Sequence, residues 1–197
     1  MNLRLLFRVI FIIALIMALG GCVTKSLTPL DQKNNIPLEE ANHWKLNARV
    51  AIRLPKESHT ASLNWQNDNK TFDFYLSGAF GVTIAHIIQG KKQASIEVAK
   101  SEKLYHEDIE FLVHNTLGWS FPIHQLSYWV KGLPSGNDKE IITRDSFDRI
   151  EHIGFEEWEI DFSKYKKYRG FILPKIITAK HPNLTLKIVA KNWQFYE

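Results

Sequence analysis

The chain has 197 residues, a formal net charge of +4 and a single cysteine. That length predicts one domain around one hydrophobic core, and no group of lysines and arginines is dense enough to favour nucleic-acid binding. One cysteine excludes an internal disulfide, so the thiol needs another role.

Residues 1–21 have the pattern of a bacterial signal peptide. Arg4 and Arg8 form a positive head, and residues 9–19 are an unbroken apolar run. This run has the length of a signal-peptide core and is too short to span a bilayer, which takes about 20 residues. We therefore expect this segment to be removed from the mature protein.

The apolar run ends in Leu19-Gly20-Gly21-Cys22, which resembles the lipobox of bacterial lipoproteins. In that signal the cysteine is lipidated and becomes the new N-terminus, so Cys22 is the predicted lipid anchor. An ordinary secretory signal followed by an incidental cysteine is the alternative. Residues 22–41 are polar and contain Pro29 and Pro37, which predicts a flexible tether between the lipid and the domain at 42–197.

Five strands are predicted directly after the tether, because apolar and polar residues alternate with the period of a strand whose one face is buried. Glycines or short polar residues separate several of these segments, as in hairpins. We therefore predict an antiparallel meander that comprises residues 44–53, 60–66, 71–77, 82–89 and 94–100.

The turn between the third and fourth strands contains a large apolar residue. Gly78 and Ala79 precede Phe80, and Gly81 follows it. Small residues between two apolar runs predict a hairpin turn, and an exposed phenylalanine forgoes about 1.5–3 kcal/mol of burial. We interpret Phe80 as a residue that inserts into a membrane. The alternative is that Phe80 folds back onto the sheet.

The period then changes to that of helices. Residues 106–119 place Ile109, Leu112 and Val113 at helical spacing, with acidic residues at the end that the helix dipole favours. A second helix is predicted from Pro122 to Gly132, with Leu126, Trp129 and Val130 on its buried side.

Strands return after residue 146, and the predicted total is ten or eleven. The segments are 147–154, 156–162, 170–180, 184–190 and 192–196, whereas 137–146 is read as polar and 166–169 as a solvated turn. A sheet of this size needs its concave face covered, and the helical insert is the available material. The fold predicted is mainly β: an incompletely closed antiparallel barrel with a helical lid.

The sequence carries no motif of an active site. No histidine pair has metal-ligand spacing with a third ligand, and neither a phosphate-binding loop nor a nucleophile elbow is present. We therefore expect no cofactor, no metal and no enzymatic activity. The chain is rich in aromatic residues, with six Trp and twelve Phe. These residues are compatible with either a filled core or an apolar cavity, and periodicity does not distinguish the two.

Several stretches together resemble the outer-membrane lipoprotein receptor family LolB. They are the lipobox at Cys22, WKLNARVAI at 44–52, LNWQ at 63–66, LSGAFGV at 76–82, LGWSFPIHQLSYWVKGLP at 117–134, LP at 173–174 and NWQF at 192–195. The helical insert is the most specific of them. The family usually has proline and leucine before the turn glycine, where this chain has Ala79 and Phe80.

The resemblance implies a non-catalytic, monomeric receptor on the periplasmic side of the outer membrane. It implies that triacylated lipoproteins arrive from a periplasmic LolA-like chaperone and leave into outer-membrane lipid. Together with the strand alternation, it implies an acyl-chain cavity lined by Leu46, Val50, Phe72, Phe74, Leu76, Trp119 and Trp129. A lipoprotein-sensing barrel of related fold and a structural envelope lipoprotein remain alternatives.

Overall fold

A computed structural model of the chain describes residues 36–99, 101–118 and 122–196. The predicted signal peptide, the predicted lipid anchor Cys22, most of the predicted tether and Trp119 lie outside the described residues.

The first half of the sheet is the predicted meander. Each strand pairs antiparallel with the next in sequence, and tight turns such as Asn69-Lys70 join them. The strands are β1 (His43–Arg53), β2 (Ser58–Asp68), β3 (Thr71–Ser77), β4 (Thr83–Gln89), β5 (Ala94–Val98) and β6 (Leu104–His106).

Alternation along these strands separates an inner apolar face from an outer polar face. In β1, Trp44, Leu46, Ala48 and Val50 are buried, whereas Arg49 between them is exposed. The same alternation continues in β2 and β3, because successive side chains of a strand point to opposite faces. The inner face of the meander is therefore continuous across neighbouring strands.

The second half completes one open sheet of eleven strands in the order β6-β5-β4-β3-β2-β1-β13-β12-β9-β8-β7, and β10 and β11 form a separate hairpin. The sheet is not closed, since β6 and β7 are its two edges. This confirms the predicted mainly β, incompletely closed architecture. The remaining strands are β7 (Ile141–Arg144), β8 (Ile150–Phe155), β9 (Trp158–Ser163), β10 (Lys166–Tyr168), β11 (Phe171–Leu173), β12 (Ile176–His181) and β13 (Leu184–Phe195).

Several strand boundaries differ from the prediction. The stretch 170–180 is two strands, because Pro174 lacks the N–H that a hydrogen-bonded ladder needs. Conversely, the two strands predicted at 184–190 and 192–196 are one strand, which continues through a register shift opposite Asn47 and Ala48. The stretch 166–169 is largely solvent-exposed, as predicted, but the turn is confined to 169–170, because Lys166–Tyr168 is a strand that pairs with Phe171–Leu173. The short edge strands β6 and β7 were not predicted.

Two helices bridge the open part of the sheet. Helix α1 (Ile109–Leu117) packs against β5 and β6, and helix α2 (Ile123–Trp129) directs Trp129 against Phe155 of β8, with ring centroids 5.6 Å apart. The helices thus contact strands near both edges, as expected of a lid. After α2 the chain turns at Gly132, whose φ of +74° and close contact with the Tyr165 hydroxyl leave no room for a side chain.

The register assigns the loops to two opposite rims of the sheet. Loops 54–57, 78–82 and 182–183 lie at one rim, called here the Phe80 rim. Turns 69–70 and 90–93, together with the start of β1, lie at the opposite rim. Within the described ranges, no helix is long and apolar enough to cross a membrane.

Candidate functional site

The loop that carries Phe80 is a short, internally bonded turn between β3 and β4. The Gly78 N–H donates to the Val82 carbonyl at 2.8 Å, and the Val82 N–H donates to the Ala79 carbonyl at 3.3 Å. One 3-10 turn, Ala79–Gly81, lies between these bonds. The two hydrogen bonds close the loop on itself, so that its backbone does not depend on contacts with the rest of the sheet.

Positive φ angles at the tip direct Phe80 away from the sheet. Phe80 itself has φ 57° and Gly81 has φ 78°. The left-handed region costs a residue with a Cβ about 1–2 kcal/mol, whereas glycine adopts it freely. Gly78 differs, since its φ is −82°, so of the two glycines only Gly81 adopts a conformation that favours glycine.

Phe80 is the most exposed large apolar residue among the described ranges. Its side chain is 104% exposed, and the nearby Val82 is 59% exposed. Ala79 and Gly81 are exposed as well. Four consecutive apolar residues therefore project into solvent, and Phe80 does not fold back onto the sheet.

Most of the residues predicted to line an acyl cavity lie in the interior of the structure. Leu46 and Val50 of β1 and Phe72 and Leu76 of β3 are buried, and Phe74 is half-buried. The register brings these strands together on either side of β2, with Leu46 opposite Trp65 and Trp65 opposite Phe74. These five residues therefore share the inner face of the meander.

Trp129, the other described member of this set, has different neighbours. It is fully buried between α2 and β8, where it contacts Phe155. Its indole N–H donates to the Glu140 carboxylate at 2.7 Å, and the same carboxylate accepts from the backbone N–H and the hydroxyl of Ser135. Trp129 thereby fastens the lid to the loop that follows it.

An aromatic cluster lies beside the predicted cavity residues, on the same inner face. Trp44 makes edge contacts with Trp65 and Trp193, at centroid distances of 5.0 and 5.2 Å, and Trp193 stacks on Phe195. The indole N–H groups of Trp65 and Trp193 are buried and lack a hydrogen-bond partner. An unmade hydrogen bond of this kind costs about 1–3 kcal/mol, so the cluster contains two donors that an acceptor could satisfy.

A pocket of about 490 Å³ opens between the lid and the turn from β8 to β9. Three aromatic rings and three carboxylates contribute to it, and sequence periodicity could not have predicted this combination, because the groups come from distant segments. The pKa of the Glu110 carboxyl is raised above its ordinary value, mainly because the group is partly buried. His124 opposes this shift, whereas the nearby carboxylates of Asp108 and Glu156 add to it. The lining residues are Asp108, Glu110, Phe111, His114, Pro122, Gln125, Asn137, Phe155, Glu156 and Trp158.

One buried cation lies just after α2. Lys131 is 2% exposed, and its ammonium donates to the carbonyls of Leu38 and Ala41, each at 3.3 Å. Burial lowers the pKa of Lys131 to about 8, an effect that the nearby Glu39 partly opposes. Lys131 therefore holds the residues that precede β1 against the end of the lid. The sequence offered no signal for this contact, because a cation near a helix C-terminus is usually solvated.

Among the described residues, no group of three or more His, Cys, Asp or Glu side chains is placed to hold a metal ion.

Comparison with known families places the geometry in context. The family model described as outer membrane lipoprotein LolB matches residues 42–193. The chain belongs to the LolB family. The outer-membrane lipoprotein LolB of Pseudomonas paraeruginosa is 31% identical over 157 residues, which cover 80% of this chain and 77% of that protein. LolB of Pseudomonas savastanoi pv. phaseolicola is 28% identical over 196 residues, with 95% and 96% covered.

A solved structure supports the fold independently of sequence similarity. A putative outer membrane lipoprotein-sorting protein domain from Vibrio parahaemolyticus aligns with a TM-score of 0.52 at 9% identity, covering 80% of this chain and 86% of that one. Membership of the LolB family identifies this protein as an outer-membrane lipoprotein receptor and favours neither a structural scaffold nor a sensing barrel.

Proposed function

We propose that this LolB family member takes triacylated lipoproteins from a LolA-like chaperone in the periplasm and inserts them into the outer membrane. The observation that carries the proposal is the fully exposed Phe80, which projects from a sheet whose inner face is apolar. One part of the molecule can thus contact lipid while another shields acyl chains. Neither step requires catalysis, a cofactor or nucleic acid.

The acyl chains are held against the inner face of the meander, beside Leu46, Val50, Phe72, Phe74 and Leu76, and under the lid residues Trp119 and Trp129. Leu46, Val50, Phe72, Leu76 and Trp129 are buried and Phe74 is half-buried, so this proposal requires the domain to open before cargo enters. The unpaired indole donors of Trp65 and Trp193 would then meet the ester or amide carbonyls of the cargo, which supports a site for acylated cysteine over one for plain hydrocarbon.

Transfer follows a gradient of affinity for the acyl chains. Each CH₂ removed from water contributes about 0.8 kcal/mol, so passage of free acyl chains through water is prohibitive. The chaperone must therefore dock directly at the opening of the acyl site beside the lid, which we call the mouth. We assign this docking mouth to the pocket between the lid and the β8–β9 turn. Transfer then proceeds without fuel if each host binds the chains more strongly than the one before.

Cys22 carries the lipid anchor and keeps the domain on the periplasmic side of the outer membrane as a monomer. Triacylation exceeds the two attachments that stable membrane binding requires. Mass spectrometry of the mature N-terminus should find the acyl chains on Cys22, and Cys22→Ser should yield soluble or uncut protein. An unmodified cysteine in the native protein would contradict the anchor.

The Phe80 loop, comprising Gly78, Ala79, Phe80 and Gly81, inserts into the membrane during delivery. One aromatic tip gains about 1.5–3 kcal/mol, which is too little to anchor a protein and enough to orient its mouth toward lipid. Phe80→Glu should leave acceptance of cargo from the loaded chaperone intact and block its release into vesicles. Phe80→Leu is the matched control and should deliver normally. Delivery by Phe80→Glu at the wild-type rate would disprove insertion.

Binding of a fluorescent lipopeptide tests the acyl site. The mature chain should show saturable binding, and Phe74→Asn should weaken it, because a polar amide against hydrocarbon costs about 1–3 kcal/mol. Phe74→Leu keeps the apolar surface and serves as the control. If Phe74→Asn lowers only the free energy of unfolding and binds normally, the inner face beside Phe74 is ordinary core.

A further inference from the structure

A group of cations without acidic partners lies on the outer face of the sheet. Arg49 and Arg53 of β1 and Lys187 of β13 are exposed, as is Lys56 in the loop after β1. We call these four residues the basic patch. None of them forms an ion pair within the part of the chain that the structure describes. By contrast, Lys139, Arg149 and Lys180 in the second half each pair with a carboxylate, at 2.9, 2.6 and 2.8 Å.

The strand register brings three of these charges together. Lys187 lies opposite Ala51, which places it diagonally between Arg49 and Arg53. Diagonal neighbours on paired strands are about 7–8 Å apart. Three exposed like charges at this spacing attract an anion more strongly than any one of them would alone, so their arrangement suits an anionic partner.

Near the Phe80 rim, the strands directly beside the patch, β2 and β12, supply no carboxylate. The sequences of β1 and β13 contain no acidic residue. The only one in β2 is Asp68, which lies at the opposite rim and contacts His43 at 2.8 Å. Glu57 lies beside Lys56 in the loop and contacts His59 at 3.0 Å. The outer face of β1 and β13 is therefore positive toward the Phe80 rim. The nearest carboxylates across β12 are Glu159 and Asp161 of β9, which contact His152 and Lys180.

The basic patch and the Phe80 loop lie at the same end of the sheet. Ser77, where β3 ends, pairs with Ser62, which in turn pairs with Arg49. Arg49 is thus level with the base of the loop and about 10 Å to its side, since neighbouring strands are about 4.8 Å apart. Arg53 lies four residues farther toward the rim, about 14 Å beyond Arg49. Insertion of Phe80 would bring these cations to the depth of lipid headgroups.

We infer that the basic patch binds the headgroups of anionic phospholipids, so that the receptor delivers cargo preferentially to anionic regions of the membrane. This inference rests on the proposed insertion of the Phe80 loop, because that contact is what turns the patch toward lipid. Charge attraction would capture the surface and set the approach of the loop. The apolar tip would then enter the bilayer.

Sedimentation with vesicles tests the inference, using the mature chain 22–197 with Cys22→Ala so that no acyl anchor masks the contact. Vesicles of phosphatidylcholine are compared with a mixture of phosphatidylcholine and phosphatidylglycerol. Binding should be stronger to the mixture, and added salt should remove the difference. Combining Arg49→Gln, Arg53→Gln and Lys187→Gln should reduce binding to the mixture by on the order of 100-fold, or about fivefold for each charge lost.

The matched control removes three cations from the opposite rim through Lys70→Gln, Lys91→Gln and Lys92→Gln. It has the same net charge as the patch variant and should bind the mixture nearly as the wild type does. An equal loss in the control would overturn the inference, because net charge alone would then explain binding. Equal wild-type binding to both kinds of vesicle would overturn it as well.

Phe80→Glu separates the two proposals. If it weakens binding to both kinds of vesicle while the preference for the mixture remains, loop and patch both stand. If it changes neither binding nor delivery, the loop proposal fails and a surviving preference still supports the patch. If the patch variant binds vesicles normally but accepts cargo slowly from the chaperone, the patch docks an acidic protein and the lipid assignment is wrong.

Discussion

Phe80 and Lys131 depart from the usual burial rule in opposite directions. Phe80 is an apolar side chain that is 104% exposed on a loop, whereas Lys131 is a cation that is 2% exposed behind the lid. Charged residues are almost never fully buried without partners, and a large apolar residue gains by leaving water. Each position therefore costs free energy that something else must offset.

The two residues differ in where their partners are. The Lys131 ammonium has its acceptors inside the molecule, the carbonyls of Leu38 and Ala41, and it lies over the ring of Tyr128. Phe80 projects from a turn that bonds only to itself. A buried cation whose hydrogen-bond acceptors lie inside the molecule has a structural role. An exposed apolar residue held in a strained turn instead indicates a partner outside the protein. The following experiments test this distinction.

Lys131→Ala should have the largest effect on folding. It removes a long buried side chain and both carbonyl contacts, and above pH 8, where the folded amine is neutral, the resulting loss should be about 2–4 kcal/mol in the free energy of unfolding. Urea denaturation measures this loss. Limited proteolysis should also show faster cleavage of residues 36–42. Cleavage at the wild-type rate would show that Lys131 does not hold this segment.

The free energy of unfolding should depend on pH, because the Lys131 ammonium is buried in the folded state. The pKa of Lys131 falls from 10.5 to about 8 on folding, so between these values the unfolded chain binds more protons than the folded one and stability rises with pH. Relative to Lys131→Met, the wild type should gain up to about 3 kcal/mol between pH 8 and 10.5. A difference that stays constant over this window would mean that the ammonium remains hydrated.

Alanine at the two loop glycines should distinguish their roles. Gly81→Ala places a Cβ at φ 78° and should cost about 1 kcal/mol. Gly78→Ala should be nearly neutral, because φ is −82° and the new Cβ would contact Ile84 at an ordinary 3.4 Å. Thermal unfolding measures both. Equal losses at the two positions would show that the turn does not depend on the left-handed residue.

Substitutions of Phe80 itself should have the smallest effect on stability. Phe80→Glu and Phe80→Leu should each change the free energy of unfolding by less than about 0.5 kcal/mol, as at other exposed sites, even where delivery of cargo is blocked. Comparing urea midpoints of the two variants with wild type measures this. A loss above about 1.5 kcal/mol would mean that Phe80 packs against the domain in solution.

Sequence alone determined the meander and the lid, because both have strong periodic patterns. Trp44, Leu46, Ala48 and Val50 alternate with polar residues, and burial of one face leaves a single register for such a strand. Ile109, Leu112 and Val113 are buried on α1 as their spacing predicted. The exposed tip at Phe80 could also be foreseen, since a short turn with Gly81 offers a phenylalanine little to pack against.

Only the tertiary structure decided the contacts between distant segments. The edge strands β6 and β7 form because a neighbouring strand offers free hydrogen-bonding groups, and their short sequences have no alternation of their own. Trp129 was predicted to be buried, but its partners were not: Phe155 lies on β8, and Glu140 lies in the loop that follows the lid. Lys131 is buried because the segment before β1 folds over it, with contacts to residues 90 and 93 positions earlier in the sequence. Local patterns determine which face of an element is apolar, whereas the identity of the group that covers it depends on the whole fold.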